Sequence, residues 1–475
     1  MGQSDANQVE QGIPTPTQEK VMEEKTPPYS AFSKSTKRLI LLSVTSAGFF
    51  GPLAGAVYLP AIPLFSSIFH TEDDVINASV SVYMAFFAVS PLAWAAFADH
   101  KGRRPVYLVS LAIFILANVI LAVVPANVGA LFVLRILQAV GSSAVASVGA
   151  GTVADIVEPS KRASALSIFF LGPQLGPVLG PLIGGQFAAP ERWRWSFGFL
   201  AIGTFVVYIL IVVCLPETLR GLVGNGEASV TKSGRWSIPP FFQRPTVDPS
   251  VKRPQKPSLK LSFTLLCYVP NLIITASGAI QFAALYCILV SFTRMWKTLY
   301  GYTEAEAGIS MILGSLASGK VSDWWRARAM KASPTGKVPP ESRIILQTFG
   351  YALAAAGMLM FGWFCEHKVH PAAVMVASAV AAFGMTWVFV TTTSYQTECY
   401  PRYGASLVAL GQMMRNVGGA VAAVVIQPLI EAMGYGWCFT GLSILTFSCI
   451  LGVVYLRFTG DAWRRKLEER TALAS

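Results

Sequence analysis

A short block between Ala95 and Pro105 brings together charged groups that could do chemistry. It contains Asp99, Gly102 and Arg103-Arg104, and long apolar segments lie on both sides. A carboxylate can bond helix-end amides or a neighbouring arginine, glycine permits a tight reversal, and arginine prefers cytoplasmic headgroups. The block predicts a turn against a membrane surface in which Asp99 forms a gate between moving parts. The alternative is that Asp99 is a solvated turn carboxylate.

Two arginines lie inside apolar segments, Arg135 in the fourth and Arg415 in the eleventh. An ionisable side chain at membrane depth is costly and usually faces a cavity or a partner. Both are therefore candidates for gating or coupling, and the alternative for each is an anchor between helices. No Asp or Glu lies in the middle of a predicted span, since Asp155 and Glu398 both fall at cytoplasmic ends.

A stripe of glycines marks the fifth apolar segment. Glycine recurs every fourth residue and alternates with proline, at Gly172, Pro173, Gly176, Pro177, Gly180, Pro181 and Gly184. Glycine at each turn lets a second helix approach closely, and each proline removes a backbone hydrogen bond and favours bending. We expect either a mechanical role for this helix or simple close packing.

These groups must be positioned by membrane helices, because 53% of the 475 residues are hydrophobic and 13% are charged. Mean hydropathy is +0.52, which predicts an all-α polytopic membrane protein. Twelve apolar runs can be recognised, at 39–58, 78–98, 106–124, 130–153, 165–188, 197–215, 270–292, 308–319, 344–364, 371–394, 405–430 and 437–455. The eighth is unusually short for a crossing, which needs about 20 residues.

Lys and Arg cluster before the first run and after the even-numbered runs, which predicts cytoplasmic termini. The net charge of +12 is explained by this orientation and by anionic lipid, and no motif supports nucleic-acid binding. The predicted divisions are a disordered tail (1–38), a six-helix half (39–216), a basic linker (217–262), a second six-helix half (263–456) and a C-terminal tail (457–475).

The block at 95–104 has a degenerate counterpart at 319–326, which indicates two related halves with substrate bound between them near mid-membrane. Polar and aromatic residues of possible substrate-cavity spans are Trp94, Asn118, Asn271, Gln281, Tyr286, Trp387 and Gln412. They could equally face lipid or pack between helices. A cavity with few charges suits hydrophobic or weakly cationic molecules.

Other signals are weak. Asn77-Ala78-Ser79 is a possible glycosylation sequon on the predicted outer side. The seven cysteines have no metal-type spacing, and no nucleophile with a base or phosphate loop indicates an enzyme. We therefore expect no metal and no cofactor.

With these motifs in hand, the chain resembles the major facilitator superfamily, in particular the fungal twelve-span drug:proton antiporters. Asp99, Gly102, Arg103 and Arg104 match the loop signature, and Arg135 with Gln138 matches the fourth-span signature. The fifth-span antiporter signature is matched at Gly176, Gly180, Pro181, Gly184 and Gly185. Two departures occur: Ala95 stands where the loop signature usually has glycine, and Ala139 stands where the fourth-span signature usually has glycine.

The resemblance implies a major-facilitator-type fold of two six-helix halves and a role for Arg135 in proton coupling. It also implies a monomeric exporter of drugs, toxins or secondary metabolites, driven by the proton gradient through alternating access. A proton-coupled importer of a metabolite and a non-transporting receptor or scaffold are the alternatives. The plasma membrane is the expected location, with the vacuolar membrane as the alternative.

Overall fold

The computed structural model describes residues 29–58, 61–226, 264, 267–295, 320–325, 327–331, 344–399 and 404–473. These residues are helices joined by short connections, with no strand among them. The N-terminal half contains α1 (Lys34–Ala56), α2 (Ile62–Ile68), α3 (Asp73–Lys101), α4 (Arg103–Val123), α5 (Val128–Ile156), α6 (Arg162–Phe187), α7 (Trp193–Cys214) and α8 (Arg220–Val223).

The C-terminal half contains α9 (Val269–Met295), α10 (Ile345–Glu366), α11 (Pro371–Cys399) and α12 (Gly404–Leu473). Gly434, at φ 75°, divides α12 into two helices. Residues 320–325 and 327–331 are also helical. The predicted short span at 308–319 lies outside the residues that the structure describes.

Nine stretches within the described helices are long and apolar enough to cross a bilayer. Large apolar side chains project outward from them, with Val424 74%, Leu451 73% and Phe458 79% exposed. Such exposure would be unfavourable in water and is expected against lipid. These features confirm the predicted multi-pass membrane protein.

The two halves repeat one packing scheme. In the N-terminal half α1 packs on α6, and α4 packs on both α5 and α7. In the C-terminal half α9 packs on α12, and α10 packs on both α11 and α12. The halves meet where α12 contacts α3 and α5, and where α11 contacts α6. Following the charge distribution, we call the end of the bundle that carries Asp99 the cytoplasmic end.

Most of the long helices begin before the apolar runs that predict them, and a polar side chain caps two of these starts. The Ser33 side chain accepts a hydrogen bond from Thr36 N and begins α1, inside the predicted tail (1–38). The Asn127 side chain caps α5 in the same way. The short helices α2 and α8 were not predicted. Helix α8 lies within the predicted linker (217–262), of which the structure describes only residues 217–226.

The predicted turn around Asp99 is only one residue long, which corrects the sequence-based expectation. Asp99 lies in the last turn of α3, which continues to Lys101, and α4 already begins at Arg103. Gly102 alone reverses the chain at φ 109°. Glycine adopts this conformation without the steric cost that a side chain would add, so the charged block consists of two helix ends rather than a loop.

The glycine stripe of α6 lies against α1. A Cβ atom at Gly176 would lie 2.7 Å from Leu53 N. At Gly172, Gly180 and Gly184 it would overlap atoms of Thr45, Ala56 and Val57 respectively. Glycine therefore permits backbone-to-backbone packing here. A Cβ at Gly185, by contrast, would meet nothing within 4 Å.

We expect Gly176→Ala to lower the melting temperature of the purified protein and Gly185→Ala to leave it unchanged or raise it. Both substitutions add the same methyl group to the same helix. At Gly176 the overpacking should cost about 1–3 kcal/mol, whereas at Gly185 alanine gains helix propensity of up to about 1 kcal/mol. Equal melting temperatures for the two variants would contradict the assigned α1–α6 contact.

Candidate functional site

Asp99 joins the two halves at the cytoplasmic end. Its Oδ1 accepts a hydrogen bond from Arg103 Nη1 at 2.6 Å. Its Oδ2 accepts from Ser406 N at 3.1 Å and from Ser406 Oγ at 2.6 Å, in the first turn of α12. The carboxylate is 9% exposed. It therefore binds the partly positive N-terminus of a helix in the other half.

Arg103 holds this carboxylate in place together with a second one. Its Nε donates to Asp155 Oδ2 at 3.0 Å, in the last turn of α5, and its side chain is 1% exposed. Two carboxylates thus flank one buried guanidinium, a pattern in which removing either partner is costly. The sequence predicted Asp99, Arg103 and Asp155 as site residues, and the structure brings them together.

Glu217, which follows α7, fixes the same corner from another side. Its Oε1 accepts from Arg103 N at 2.8 Å and its Oε2 from Arg104 N at 3.2 Å. A side chain at Gly102 would overlap this carboxylate. Arg104 Nη2 in turn donates to Val212 O of α7 at 2.9 Å. Sequence analysis missed the role of Glu217, although a glutamate after an apolar span was the available signal.

A reciprocal contact comes from the C-terminal half. Asp323 Oδ1 accepts from Ala163 N at 3.2 Å and its Oδ2 from Ser164 N at 2.8 Å. These amides form the first turn of α6, so Asp323 binds α6 as Asp99 binds α12. The degenerate repeat at 319–326 supplies this residue, whose pairing the sequence did not indicate.

Arg162 and Tyr29 add a third connection at this end. Arg162 Nη1 donates to Thr397 O of α11 at 3.2 Å, and its Nη2 donates to the Tyr29 hydroxyl at 2.9 Å. Arg220 lies 3.9 Å from the centre of the Tyr29 ring and donates to its carbonyl at 2.8 Å. The segment before α1 thus contacts the junction of the two halves, which the prediction of a disordered tail did not include.

Apolar side chains pack between the halves on the side of these polar contacts that is further from the cytoplasmic end. Leu92 and Ala95 of α3 pack against Leu407 and Leu410 of α12. Further along, the Phe170 ring of α6 lies 4.2 Å from the Phe389 ring of α11. We call these apolar contacts, together with the polar contacts of Asp99, Asp323 and Arg162 between the halves, the cytoplasmic seal. The structure is therefore closed toward the cytoplasm.

Arg135 lies on the outer side of the N-terminal half and is fully buried. Its Nη1 donates to Gln138 Oε1 at 2.7 Å and to Ala54 O at 3.2 Å. The Tyr58 and Tyr83 rings each lie 4.4 Å from its guanidinium carbon. Within the described part of the chain no carboxylate pairs with Arg135, so its contacts are those of an anchor between α1, α3 and α5.

Three of the predicted cavity residues each join two helices that belong to the same half. Asn118 accepts from Gln138 Nε2 at 2.7 Å and extends the Arg135 network to α4. Trp94 Nε1 donates to Val140 O at 2.8 Å, joining α3 to α5. Trp387 Nε1 donates to Leu346 O at 3.0 Å, joining α11 to α10. These side chains have the packing role that was the alternative interpretation of them.

The other cavity candidates lie in the C-terminal half. Asn271 and Gln281 of α9 are buried, and Tyr286 packs beside Phe282 with ring centres 5.1 Å apart. Gln412 accepts from Arg415 Nη2 at 2.7 Å within α12. Helices α9 and α12 thus carry buried amides and one buried arginine.

Asn77 and Glu398 lie near opposite ends of the bundle. Asn77 is exposed near the start of α3, while the Ser79 hydroxyl of its sequon is buried and bonds Ile76 O at 2.7 Å. Glu398 lies in the last turn of α11 at the cytoplasmic end. Glycosylation and a gating role remain predictions for these two residues.

The Major Facilitator Superfamily profile matches residues 44–423. Dityrosine transporter 1 of Saccharomyces cerevisiae is 38% identical over 461 residues, which cover 90% of this chain and 81% of the yeast protein. Multidrug transporter DTR1 of Candida glabrata is 36% identical, with 92% and 86% of the two chains covered.

A solved structure supports the fold. The proton:xylose symporter XylE superposes with a TM-score of 0.66 at 15% sequence identity, covering 90% of this chain and 96% of the symporter. At this identity the likeness establishes architecture alone.

We expect Asp99→Asn to loosen the cytoplasmic seal. A charge-assisted hydrogen bond contributes about 1.5–3 kcal/mol, and each 1.4 kcal/mol corresponds to about a tenfold change in an equilibrium. An Ala95→Cys reporter within the seal should therefore react with a membrane-permeant maleimide at least about ten times faster in the variant. The same protein without the reporter gives the background from native cysteines.

Asp323→Asn should act in the same direction, because it weakens the reciprocal contact on α6. Asp461→Asn is the matched control, since Asp461 pairs with Arg465 at a site where both side chains are exposed. Equal reporter labelling in the wild type, Asp99→Asn and Asp461→Asn would contradict the assignment of Asp99 to the seal.

Proposed function

Since the chain belongs to the major facilitator superfamily and is a multi-pass membrane transporter, we propose that it exports small lipophilic or weakly cationic organic molecules in exchange for protons. The observation that carries this proposal is the pair of reciprocal contacts made by Asp99 and Asp323. Each contact joins a helix end of one half to a carboxylate of the other. Such contacts can separate when the halves rock as rigid bodies, as alternating access requires.

The cytoplasmic seal also contains carboxylates that could couple its opening to protons. The described carboxylates lie toward helix ends rather than in mid-span, and Asp99 and Asp155 share one guanidinium. Protonation of Asp99 would weaken its bonds to Arg103 and to α12. A protonated carrier would then open toward the cytoplasm more readily than a deprotonated one, which is the direction that exchange for an exported molecule requires.

Names of relatives support the class of substrate. The Candida glabrata relative is called a multidrug transporter and the Saccharomyces cerevisiae relative a dityrosine transporter. We extend from these names only that the cargo is an organic molecule. The plasma membrane is the proposed location. The proposal also includes protons as the exchanged ion, the lipid bilayer as the surroundings and a monomer as the oligomeric state.

A proton-coupled importer is the second candidate, because the symporter XylE shares the fold. Export and import differ in the direction of net flux rather than in architecture. A receptor or scaffold without transport would retain the helices but would not need the cytoplasmic seal to open.

We expect transporter-deficient cells that express this chain to accumulate less of a panel of lipophilic dyes and antifungals than control cells. An uncoupler should abolish the difference, because it removes the proton gradient. Asp99→Asn should lose efflux at an unchanged surface level, whereas Asp461→Asn should retain it. Higher accumulation than in control cells would indicate import, and equal accumulation would oppose transport of these probes.

Arg135 variants separate coupling from anchoring. Arg135→Lys retains the charge but lacks the planar guanidinium that lies between Tyr58 and Tyr83. If the positive charge couples transport, Arg135→Lys should keep uncoupler-sensitive efflux that Arg135→Gln loses. If Arg135 is only an anchor, both variants should lower the melting temperature and reduce efflux in proportion to surface protein.

A further inference from the structure

Arg415 is a buried cation whose counter-charge is not supplied by the described chain. Its side chain is 4% exposed, and no described carboxylate forms an ion pair with it. Its Nη2 donates to Gln412 Oε1 at 2.7 Å, whereas its Nε has no partner among the described residues. A buried charge without a counter-charge costs free energy unless another group neutralises it.

The position of Arg415 is that of a central site between the halves. The helical rise of about 1.5 Å per residue places it about 14 Å along α12 from Ser406, near the middle of a bilayer core of about 30 Å. Its guanidinium carbon lies 4.4 Å from the centre of the Phe389 ring. Phe389 contacts Phe170 of the other half, so the cation lies at the outer margin of the cytoplasmic seal.

Amide groups beside Arg415 are also incompletely bonded. Gln412 Nε2 donates to Asn416 Oδ1 at 3.4 Å, but Asn416 Nδ2 is buried without a partner in the described chain. A Cβ atom at Gly411 would lie 3.3 Å from Arg415 Nη1 and 3.5 Å from Gln396 Oε1. The guanidinium and the Gln396 amide therefore share the surface above Gly411. Within the described chain the unpaired N–H donors here are Arg415 Nε and Asn416 Nδ2, and the Phe389 ring lies beside the guanidinium, while Gln396 Oε1 is an unpaired acceptor.

We propose that Arg415 binds the carboxylate of an aromatic organic acid during transport, with Asn416 Nδ2 as a second donor and Phe389 against the apolar body. This proposal rests on the proposed transport function. Among the lipophilic molecules named there it selects those that carry a carboxylate, and it leaves out the weakly cationic ones. The fork of guanidinium N–H groups matches the two oxygens of a carboxylate. A phosphate would require further basic groups, and Arg415 is the only buried Lys or Arg among the described residues of α9–α12.

The test compares acids with their neutral amides on the purified full-length protein. Intrinsic fluorescence titration would measure binding of 1-naphthoate, 3-phenylpropionate and N-acetyltyrosine, each beside its carboxamide. For at least one pair the wild type should bind the acid about ten times more tightly, which corresponds to one charge-assisted contact. Arg415→Gln should remove this preference and leave amide binding unchanged.

Two further variants make the result specific. Arg415→Lys should keep part of the preference, because it retains the charge without the fork, and it remains informative if Arg415→Gln fails to fold. Arg192→Gln removes the same charge from an exposed position before α7 and should behave as the wild type. No preference for the acid in any pair, or a preference that survives in Arg415→Gln, would overturn the proposal.

Transport is measured separately in proteoliposomes with an imposed proton gradient. If acids bind through Arg415 but neither the acids nor neutral dyes move, the binding site stands and the proposed function fails. If neutral dyes move with the gradient while no acid is preferred, the proposed function stands and the carboxylate site fails.

Discussion

A carboxylate of one half bound to the first turn of a helix in the other half is the contact on which this structure depends. Asp99 binds the start of α12 and Asp323 binds the start of α6. Backbone amides in the first turn of a helix have no partner within that helix, so an anion from outside satisfies them and interacts favourably with the helix dipole. Because both contacts lie at helix ends, the halves can separate there without breaking hydrogen bonds inside any helix.

The other charged groups around Asp99 keep it in position rather than joining the halves themselves. Arg103 links Asp99 on α3 to Asp155 on α5, and Glu217 binds the first amides of α4. Four helix ends of the N-terminal half are thereby tied into one cluster. A change in the charge of Asp99 therefore alters its own contact with α12. Through Arg103 and Glu217 it also alters the contacts of α4, α5 and the end of α7.

Sequence patterns predicted the helices well and their long-range contacts poorly. Hydropathy located the spans because lipid requires long apolar helices, and the glycine spacing of α6 indicated the close contact that it makes with α1. The sequence predicts a gating role for Asp99 but not its contact with Ser406, since no local pattern links positions so far apart. The tight reversal at Gly102 was predicted, but not that Gly102 alone makes it. The contact of Tyr29 with Arg162 was not predicted, because it depends on neighbours supplied by folding.

The two buried arginines differ in which helices surround them. Arg135 lies between two tyrosine rings and bonds a backbone carbonyl and Gln138, so its surroundings come from several helices of one half. Arg415 lies over one ring and bonds one amide on its own helix. Rocking of the halves would leave the Arg135 surroundings intact, since they move together. It would change the surroundings of Arg415, because Phe389 packs on Phe170 of the opposite half. A ligand that neutralises Arg415 would therefore bind with different strength in the two conformations, and such a difference is what allows binding to shift a conformational equilibrium.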